Sequence, residues 1–236
     1  MFFFHRYKQV ADSGLLRGLT DWHCHLLPAV DDGVKRADES LAILQLWEKL
    51  GVKEVHLTPH IMEDIPNQPV ALQEKFQTFA AAWHGTIRLH LAAEHMLDGL
   101  FQRRLVDKMV LPLTPDKKLL VETSYFNPPF GMEDMLVSIR EADYTIVLAH
   151  PERYQYMDMS DYERLHNEGV LFQLNLPSLT GAYGPDVMQK AELLLQKGWY
   201  YFCGSDCHSL RSMEAFLNSK ISSSIVKSIE STFKKR

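Results

Sequence analysis

Residues 118–150 read KLLVETSYFNPPFGMEDMLVSIREADYTIVLAH, and this stretch decides the fold class. Residues 118–122 form a short apolar run that closes on Glu122. Residues 144–149 form a second such run, rich in β-branched and apolar residues, that closes on His150. Between them residues 132–141 read as a helix. Strand, helix and strand in succession make a parallel βαβ unit.

Working outward, the same alternation covers the chain. Strands are expected at 15–22, 53–58, 86–93, 170–175 and 199–204 as well. Helices are expected at 38–50, 70–83, 98–107, 160–168 and 185–197, with two more near Ser212 and from Ile221 onward. In the first helix Leu41, Leu44 and Trp47 supply the apolar stripe, and Gly51 supplies a stop. Seven βα repeats without a linker or low-complexity segment predict one domain, 1–236. They predict a barrel, because crossovers are right-handed and parallel strands need cover on both faces. An open doubly wound sheet is the alternative, and no glycine-rich phosphate loop follows the first strand to support it.

Composition narrows the function. The net charge of −5 over 236 residues lacks the basic face of a nucleic-acid binder. The one basic run, residues 234–236, reads as a solvated tail. Three cysteines, Cys24, Cys203 and Cys207, make no disulfide framework and point to a reducing compartment. The apolar start at residues 1–4 is too short for a signal peptide or a membrane span. The chain reads as cytoplasmic, with no membrane insertion and an oligomer left open.

Ligand-type side chains cluster at strand ends. His23 and His25 sit just past the first strand, His60 past the second and Glu94 past the third. Glu122 ends the fourth, His150 ends the fifth, and Asp206 and His208 follow the seventh. In an α/β barrel those ends converge on one face, where active sites lie. Asp31 and Asp32, in the loop after the first strand, can reach the same place. A two-residue spacing puts both imidazoles of His23 and His25 on one face of an extended segment, as shared metal binding requires. Taken singly, each has a plainer reading: loop histidines, a capping His150, solvated carboxylates at Glu94 and Glu122. Their joint occurrence at strand ends is what favours a metal centre. The mixed imidazole and carboxylate set suits Mn²⁺, Fe or Zn²⁺ better than a thiolate site does. Cys24 and Cys207 then read as small packing residues. His5, His56, His84, His90, His95 and His166 show no such placement and read as structural or surface residues.

The segments DWHCHLLPAVDDG (21–33), TPH (58–60), AEH (93–95), VE (121–122), AHPERY (149–154), QLN (173–175) with SLTG (178–181), and GSDCH (204–208) resemble the PHP superfamily of metal-dependent phosphoesterases, named for polymerase and histidinol phosphatase. Within it the chain is most similar to bacterial tyrosine phosphatases of capsule and exopolysaccharide operons. The resemblance implies a distorted seven-stranded (β/α) barrel with three metals, usually manganese. His23, His25, Glu94 and Asp206 would hold the first, Glu94, Glu122 and His150 the second, and Asp32, His60 and His208 the third. Arg153 resembles the family's phosphate-binding arginine. Arg211 is the candidate for a second, in a segment shorter than the family's. Residues 1–20 are longer than in short members. The implied partner is the phosphotyrosine tail of a membrane-bound bacterial tyrosine kinase.

The implied reaction is hydrolysis of a phosphate monoester. Divalent ions would provide the nucleophile and neutralise charge, Arg153 would hold the phosphate, and His208 could protonate the leaving group. Arg153 could instead pair with Glu152 or Asp158 on the surface. A cysteine-based tyrosine phosphatase needs an arginine six residues after the nucleophile, and Val30, Ser209 and Met213 stand there instead. Three readings compete. One is an amidohydrolase-type barrel, which normally carries a lysine where Glu122 stands. Another is a scaffold without metals. The third is a phosphatase for a small ester such as histidinol phosphate or a sugar phosphate.

Overall fold

The computed structural model describes residues 7–233; the apolar start at 1–4 and the basic run at 234–236 lie outside them. In chain order the strands are β1 (Tyr7–Gln9), β2 (Thr20–Cys24), β3 (Glu54–Leu57), β4 (His60–Ile61), β5 (Arg88–Leu91), β6 (Glu94–Met96), β7 (Lys118–Glu122), β8 (Thr145–Ala149), β9 (Leu171–Asn175), β10 (Tyr200–Gly204) and β11 (Lys220–Ser222). The helices are α1 (Val10–Ser13), α2 (Ala37–Leu50), α3 (Pro69–Ala82), α4 (Phe101–Val106), α5 (Met132–Glu141), α6 (Met159–Asn167), α7 (Pro185–Gln196), α8 (Leu210–Asn218) and α9 (Ser223–Phe233).

Local signals account for the boundaries. Asp38 and Glu39 sit in the first turn of α2, where a carboxylate complements the helix dipole. Gly51 closes that helix at φ 87°, a conformation glycine takes without steric penalty. Asp158 caps α6 by accepting from the backbone N–H of Ser160 and Asp161.

Two parallel sheets form the frame. One has six strands in the order β10-β9-β8-β7-β6-β4 and the other three in the order β2-β3-β5. β1 and β11 pair apart from them, antiparallel. The expected closed seven-stranded barrel is not found among the described residues. After each of the expected strands at 53–58 and 86–93 the chain splits off a further short strand, β4 and β6, that lies outside the expected range. Thr58 and Pro59 separate β3 from β4, and Ala92 and Ala93 separate β5 from β6. Proline has no N–H to give to a ladder, so pairing breaks at Pro59. The chain passes from one sheet to the other at both splits. Across the remaining edge, Asp206 N–H donates to His23 O at 2.8 Å and His25 N–H to Cys207 O at 2.9 Å.

Alternation along the strands explains their apolar runs. Leu119, Val121, Ile146 and Leu148 join the large core under the helices with Ile43, Leu44 and Trp47. Leu120, Val147 and Ala149 point the other way, into a small cluster with Ala92, Leu113 and Phe202, against which Trp22 packs. A strand buried on both faces needs apolar residues at both parities. Each fully buried large aliphatic or aromatic side chain contributes roughly 1.5–3 kcal/mol. Because all strands of these two sheets run parallel, their C-terminal ends open on one side.

Candidate metal centre

The sequence positions its polar residues at that side. His23 lies in β2 and His25 just beyond it, and both are fully buried. Asp21 Oδ1 accepts from His23 N–H at 3.1 Å and from Ser205 N–H at 2.9 Å, which ties β2 to the end of β10. A Cβ on Gly204 would fall 2.5 Å from His23 Cβ, so only glycine admits this approach. His60 and Glu94 open β4 and β6 and stand opposite each other in register. Glu122 ends β7, His150 follows β8, and Asp206 and His208 follow β10. His150 (φ 32°) and Asp206 (φ 52°) hold left-handed backbone conformations that non-glycine residues seldom adopt.

The side chains converge. Glu94 Oε2 lies 3.1 Å from His23 Nε2, 3.3 Å from His25 Nε2 and 3.2 Å from His60 Nδ1. Its other oxygen lies 3.0 Å from His150 Nε2. Asp206 Oδ1 is 3.5 Å from His23 Nε2 and 3.4 Å from His25 Nε2. His60 Nδ1 is 2.9 Å from Glu122 Oε1. Asp32 Oδ1 is 3.5 Å from both His60 Nε2 and His208 Nε2. Three sets of donors result, each within 4.8 Å internally: His23, His25, Glu94 and Asp206; His60, Glu94 and Glu122; and His25, Asp32, His60 and His208. The first is the set expected from the sequence. The second has His60 where His150 was expected, with His150 on the far oxygen of Glu94. The third adds His25.

These residues fit divalent cations. Glu94 Oε2, Glu122 Oε1 and His60 Nδ1 are buried and close to one another or to neighbouring imidazoles, yet none has a hydrogen-bond partner of proper geometry among the described residues. Such atoms converge on shared points in space rather than on each other. Leaving a buried polar atom unanswered costs about 1–3 kcal/mol. His23 Nε2 and His25 Nε2 face each other at 3.2 Å, and a cation between them suits both lone pairs. Without one, protons take its place. Burial works against the His23 charge, but Glu94 and Asp206 push its pKa up to about 9. Burial likewise opposes ionisation of Asp206, and the charge of His23 and the His25 hydrogen bond hold it far below the usual carboxylate range. The hydrogen bond to His208 draws Asp32 down to about 2. All three cysteines are buried and none belongs to these sets.

A further layer fixes the imidazoles. His25 Nδ1 meets Asp31 Oδ2 at 2.8 Å, and the same carboxylate accepts from Gly33 N–H and His60 N–H. His23 Nδ1 meets Gln173 Oε1 at 2.9 Å, and that oxygen also accepts from His150 N–H at 3.3 Å. Each contact turns the opposite ring nitrogen toward the cluster. Gln173 carries no sequence signal of its own beyond its place in the QLN segment. Gln173→Leu preserves volume and removes the acceptor. It should weaken metal binding by about 10–100-fold, the usual scale for such partners. Metal titration of the folded variant measures this, and wild-type affinity would show that Gln173 does not orient His23.

Arg153 lies in the short turn Pro151–Arg153 after His150. Its Nη1 donates to Asp206 Oδ2 at 2.6 Å. Its guanidinium is sandwiched between Tyr125 and Tyr183, with Cζ 4.3 Å from each ring centroid. It forms no surface pair with Glu152 or Asp158. Glu152 is buried, accepting from Asn175 N–H and Tyr200 O–H, and Asp158 caps α6. Arg211 is exposed in the first turn of α8, and no hydrogen bond or ion pair ties it to the cluster among the described residues.

Parallel strands that deliver imidazoles and carboxylates to one buried centre define an α/β protein with a candidate metal-binding site. The chain belongs to the family described as capsular polysaccharide synthesis, CpsB/CapC, which it matches over residues 19–234. It is similar to tyrosine-protein phosphatase YwqE of Bacillus subtilis, at 26% identity over 200 residues covering 82% of this chain and 79% of that one. It is similar to tyrosine-protein phosphatase CpsB of Streptococcus pneumoniae, at 26% identity over 216 residues covering 84% and 86%. Its fold is shared with a solved structure from work on YwqE and CpsB, described as unique metal-dependent tyrosine phosphatases, with a TM-score of 0.77, 23% identity and coverage of 92% of this chain and 87% of that one.

Proposed function

We propose that the chain is a metal-dependent phosphomonoester hydrolase that removes phosphate from phosphotyrosine. Its substrate in this reading is the tyrosine-rich tail of a bacterial kinase controlling capsular or exopolysaccharide synthesis. The observation that carries it is the convergence of His23, His25, Asp32, His60, Glu94, Glu122, His150, Asp206 and His208 beside Arg153. The family membership and the names of the relatives give the substrate class. The donor chemistry fits Mn²⁺, with Fe or Zn²⁺ able to take the same ligands. Bound there, three such ions would supply charge neutralisation and a hydrolytic nucleophile at neutral pH.

The protein groups do the rest. Arg153 presents a planar fork to phosphate oxygens, and Tyr125 and Tyr183 hold that plane. His208 is the most exposed imidazole of the set. Its Nδ1–H donates to the Asp206 carbonyl at 2.8 Å, which leaves the Nε2 lone pair for a metal ion; to protonate the leaving phenolate, Nε2 would have to be protonated and free of that ion. The whole chain 1–236 acts as one domain in this reading. Three buried cysteines suit a cytoplasmic setting in this reading. No described helix is long and apolar enough to cross a membrane. An amidohydrolase reading finds no lysine at the strand end: Lys117 pairs with Asp143 and Lys118 with Asp116, both before Glu122.

Turnover of a phosphotyrosine peptide in Mn²⁺ and in chelator, set against lactone and dipeptide substrates, tests the proposal. Activity on the peptide that disappears with chelator and survives iodoacetamide is the expected result. Activity that persists in chelator, or that falls in step with alkylation of one cysteine, would overturn it.

A further inference from the structure

A second cluster of donors lies within the three-stranded sheet, on β3 and β5. Glu54 and His56 are two residues apart on β3 and share one face. His90 stands directly opposite His56 on β5. One donor atom from each of the three lies within 4.8 Å of the others. His90 Nε2 is 3.0 Å from Glu54 Oε2, and the two imidazole rings stack at 4.6 Å between centroids. None of these residues belongs to the centre beside Arg153. The strand-end argument passes over them because they sit before the strand ends.

His56 is the unusual member. It is 4% exposed, and its Nδ1 is buried with no hydrogen-bond partner among the described residues. One face of its ring rests on Trp22, with centroids 4.1 Å apart, and another aromatic, Phe202, packs behind Trp22. This apolar seat gives the imidazole no reason to be polar. Burial, helped by the charge of His90, lowers its pKa to about 3, so it stands neutral with a lone pair free at neutral pH. A core position of this kind ordinarily carries an apolar side chain. Glu54 divides its oxygens: Oε1 meets Arg88, and Oε2 faces His90.

We infer that Glu54, His56 and His90 form a second binding site, for one divalent transition-metal ion of the zinc, nickel or copper type. Two imidazoles and one carboxylate are the donor set such ions prefer over Mg²⁺ or Ca²⁺. At bond lengths of about 2.0–2.2 Å, tetrahedral donors lie about 3.3 Å apart. The Glu54–His90 pair is already near that spacing. His56 is stacked on Trp22, and the His90 and Glu54 side chains, 42% and 27% exposed, would close on it when the ion binds. Arg88 competes with the ion for the carboxylate.

The test uses the full chain loaded with Mn²⁺ and then dialysed against Ni²⁺, with His90→Ala, Glu54→Gln, Trp22→Phe and Arg88→Gln as comparisons. Elemental analysis should find one more Ni²⁺ per chain in the wild type than in His90→Ala or Glu54→Gln. Ni²⁺ should quench Trp22 emission in the wild type and leave it unchanged in those two variants. Trp22→Phe should keep the ion and lose the quench. Arg88→Gln should bind about two- to fivefold more tightly, the size of one exposed ion pair. Aryl-phosphate turnover should match wild type in His90→Ala and Glu54→Gln. Equal Ni²⁺ content in wild type, His90→Ala and Glu54→Gln would overturn the inference, as would quenching that survives in both variants. The cluster would then be an ion-pair network around Glu54.

Discussion

Glu94→Gln is expected to lower kcat/KM on aryl phosphates by about 10³-fold or more and to lower bound metal in parallel. Glu94 is 1% exposed, and its two oxygens meet four imidazoles: His23, His25 and His60 through one, His150 through the other. Among the described residues Glu94 is the one carboxylate shared by two of the three donor sets, as His25 and His60 are the shared imidazoles. Burial pushes its carboxyl up, but the charges of His23 and His60 outweigh burial and hold it well below the usual carboxylate range. Glutamine fills the same space without the charge, and its amide nitrogen cannot accept. Metal ions typically supply several kcal/mol of charge stabilisation, and about 1.4 kcal/mol corresponds to one decade in rate. Glu94→Asp keeps the charge but shortens the reach by one methylene, so it should fall between wild type and Gln. Metal content read with circular dichroism separates loss of the site from loss of the fold. A folded Gln variant with full metal and kcat/KM within tenfold of wild type would remove Glu94 from the centre.

Much of the frame is legible before any coordinates. Strand β7 and helix α5 begin and end where the sequence predicts them, because their signals are local: an apolar run closed by a charge, and a periodic stretch behind Gly131. The first strand is displaced. Apolar residues predict it at 15–22, but Leu15 and Leu16 serve a turn between Gly14 and Gly18, both at positive φ, and pairing starts at Thr20. Hydrophobicity reports burial there, not extension. The splits at Thr58–Pro59 and Ala92–Ala93 are less legible. Pro59 gives one warning, while Ala92 and Ala93 give none. The β1–β11 pair depends on contact between the two ends of the described chain, which no local pattern encodes.

The site shows the same division. Side chains whose type betrays their chemistry were legible, since imidazoles and carboxylates at parallel strand ends can hardly avoid one another. Partners of ordinary type were not. Gln173 matters because its Oε1 faces His23 across 150 residues of sequence, and Tyr125 and Tyr183 matter because their rings bracket Arg153. Arg211 shows the converse. A charged residue in the right segment lies exposed on α8, because the segment joining it to His208 is short. His60 faces Glu122 as well as Asp32, an orientation that spacing alone does not set.

Arg153→Ala is expected to retain its metals at saturating concentration and to lose about 10²-fold or more in kcat/KM, the scale of a single transition-state donor. The guanidinium is largely buried, with 15% of the side chain exposed. Burial opposes its charge, and the Asp206 carboxylate more than restores it. Nη1 is engaged by Asp206 Oδ2, whose partner oxygen faces His23 and His25. Arg153 therefore sits one carboxylate away from the cluster, with the remaining donors of its fork available to a phosphate. Tyr125 and Tyr183 stack on its two faces and fix the plane, so little side-chain entropy is lost when the fork engages. Lysine has neither the plane nor the fork, and Arg153→Lys should recover only part of the loss. A purely structural Arg153 makes a different prediction. It would only neutralise Asp206, so its removal would shift metal affinity through that carboxylate and leave turnover normal once metal is saturating. Kinetics measured across a metal titration distinguish the two. Wild-type kcat/KM at saturating Mn²⁺ in Arg153→Ala would end the phosphate-binding role. A persistent deficit there, partly relieved by lysine, assigns the fork to the reacting phosphate.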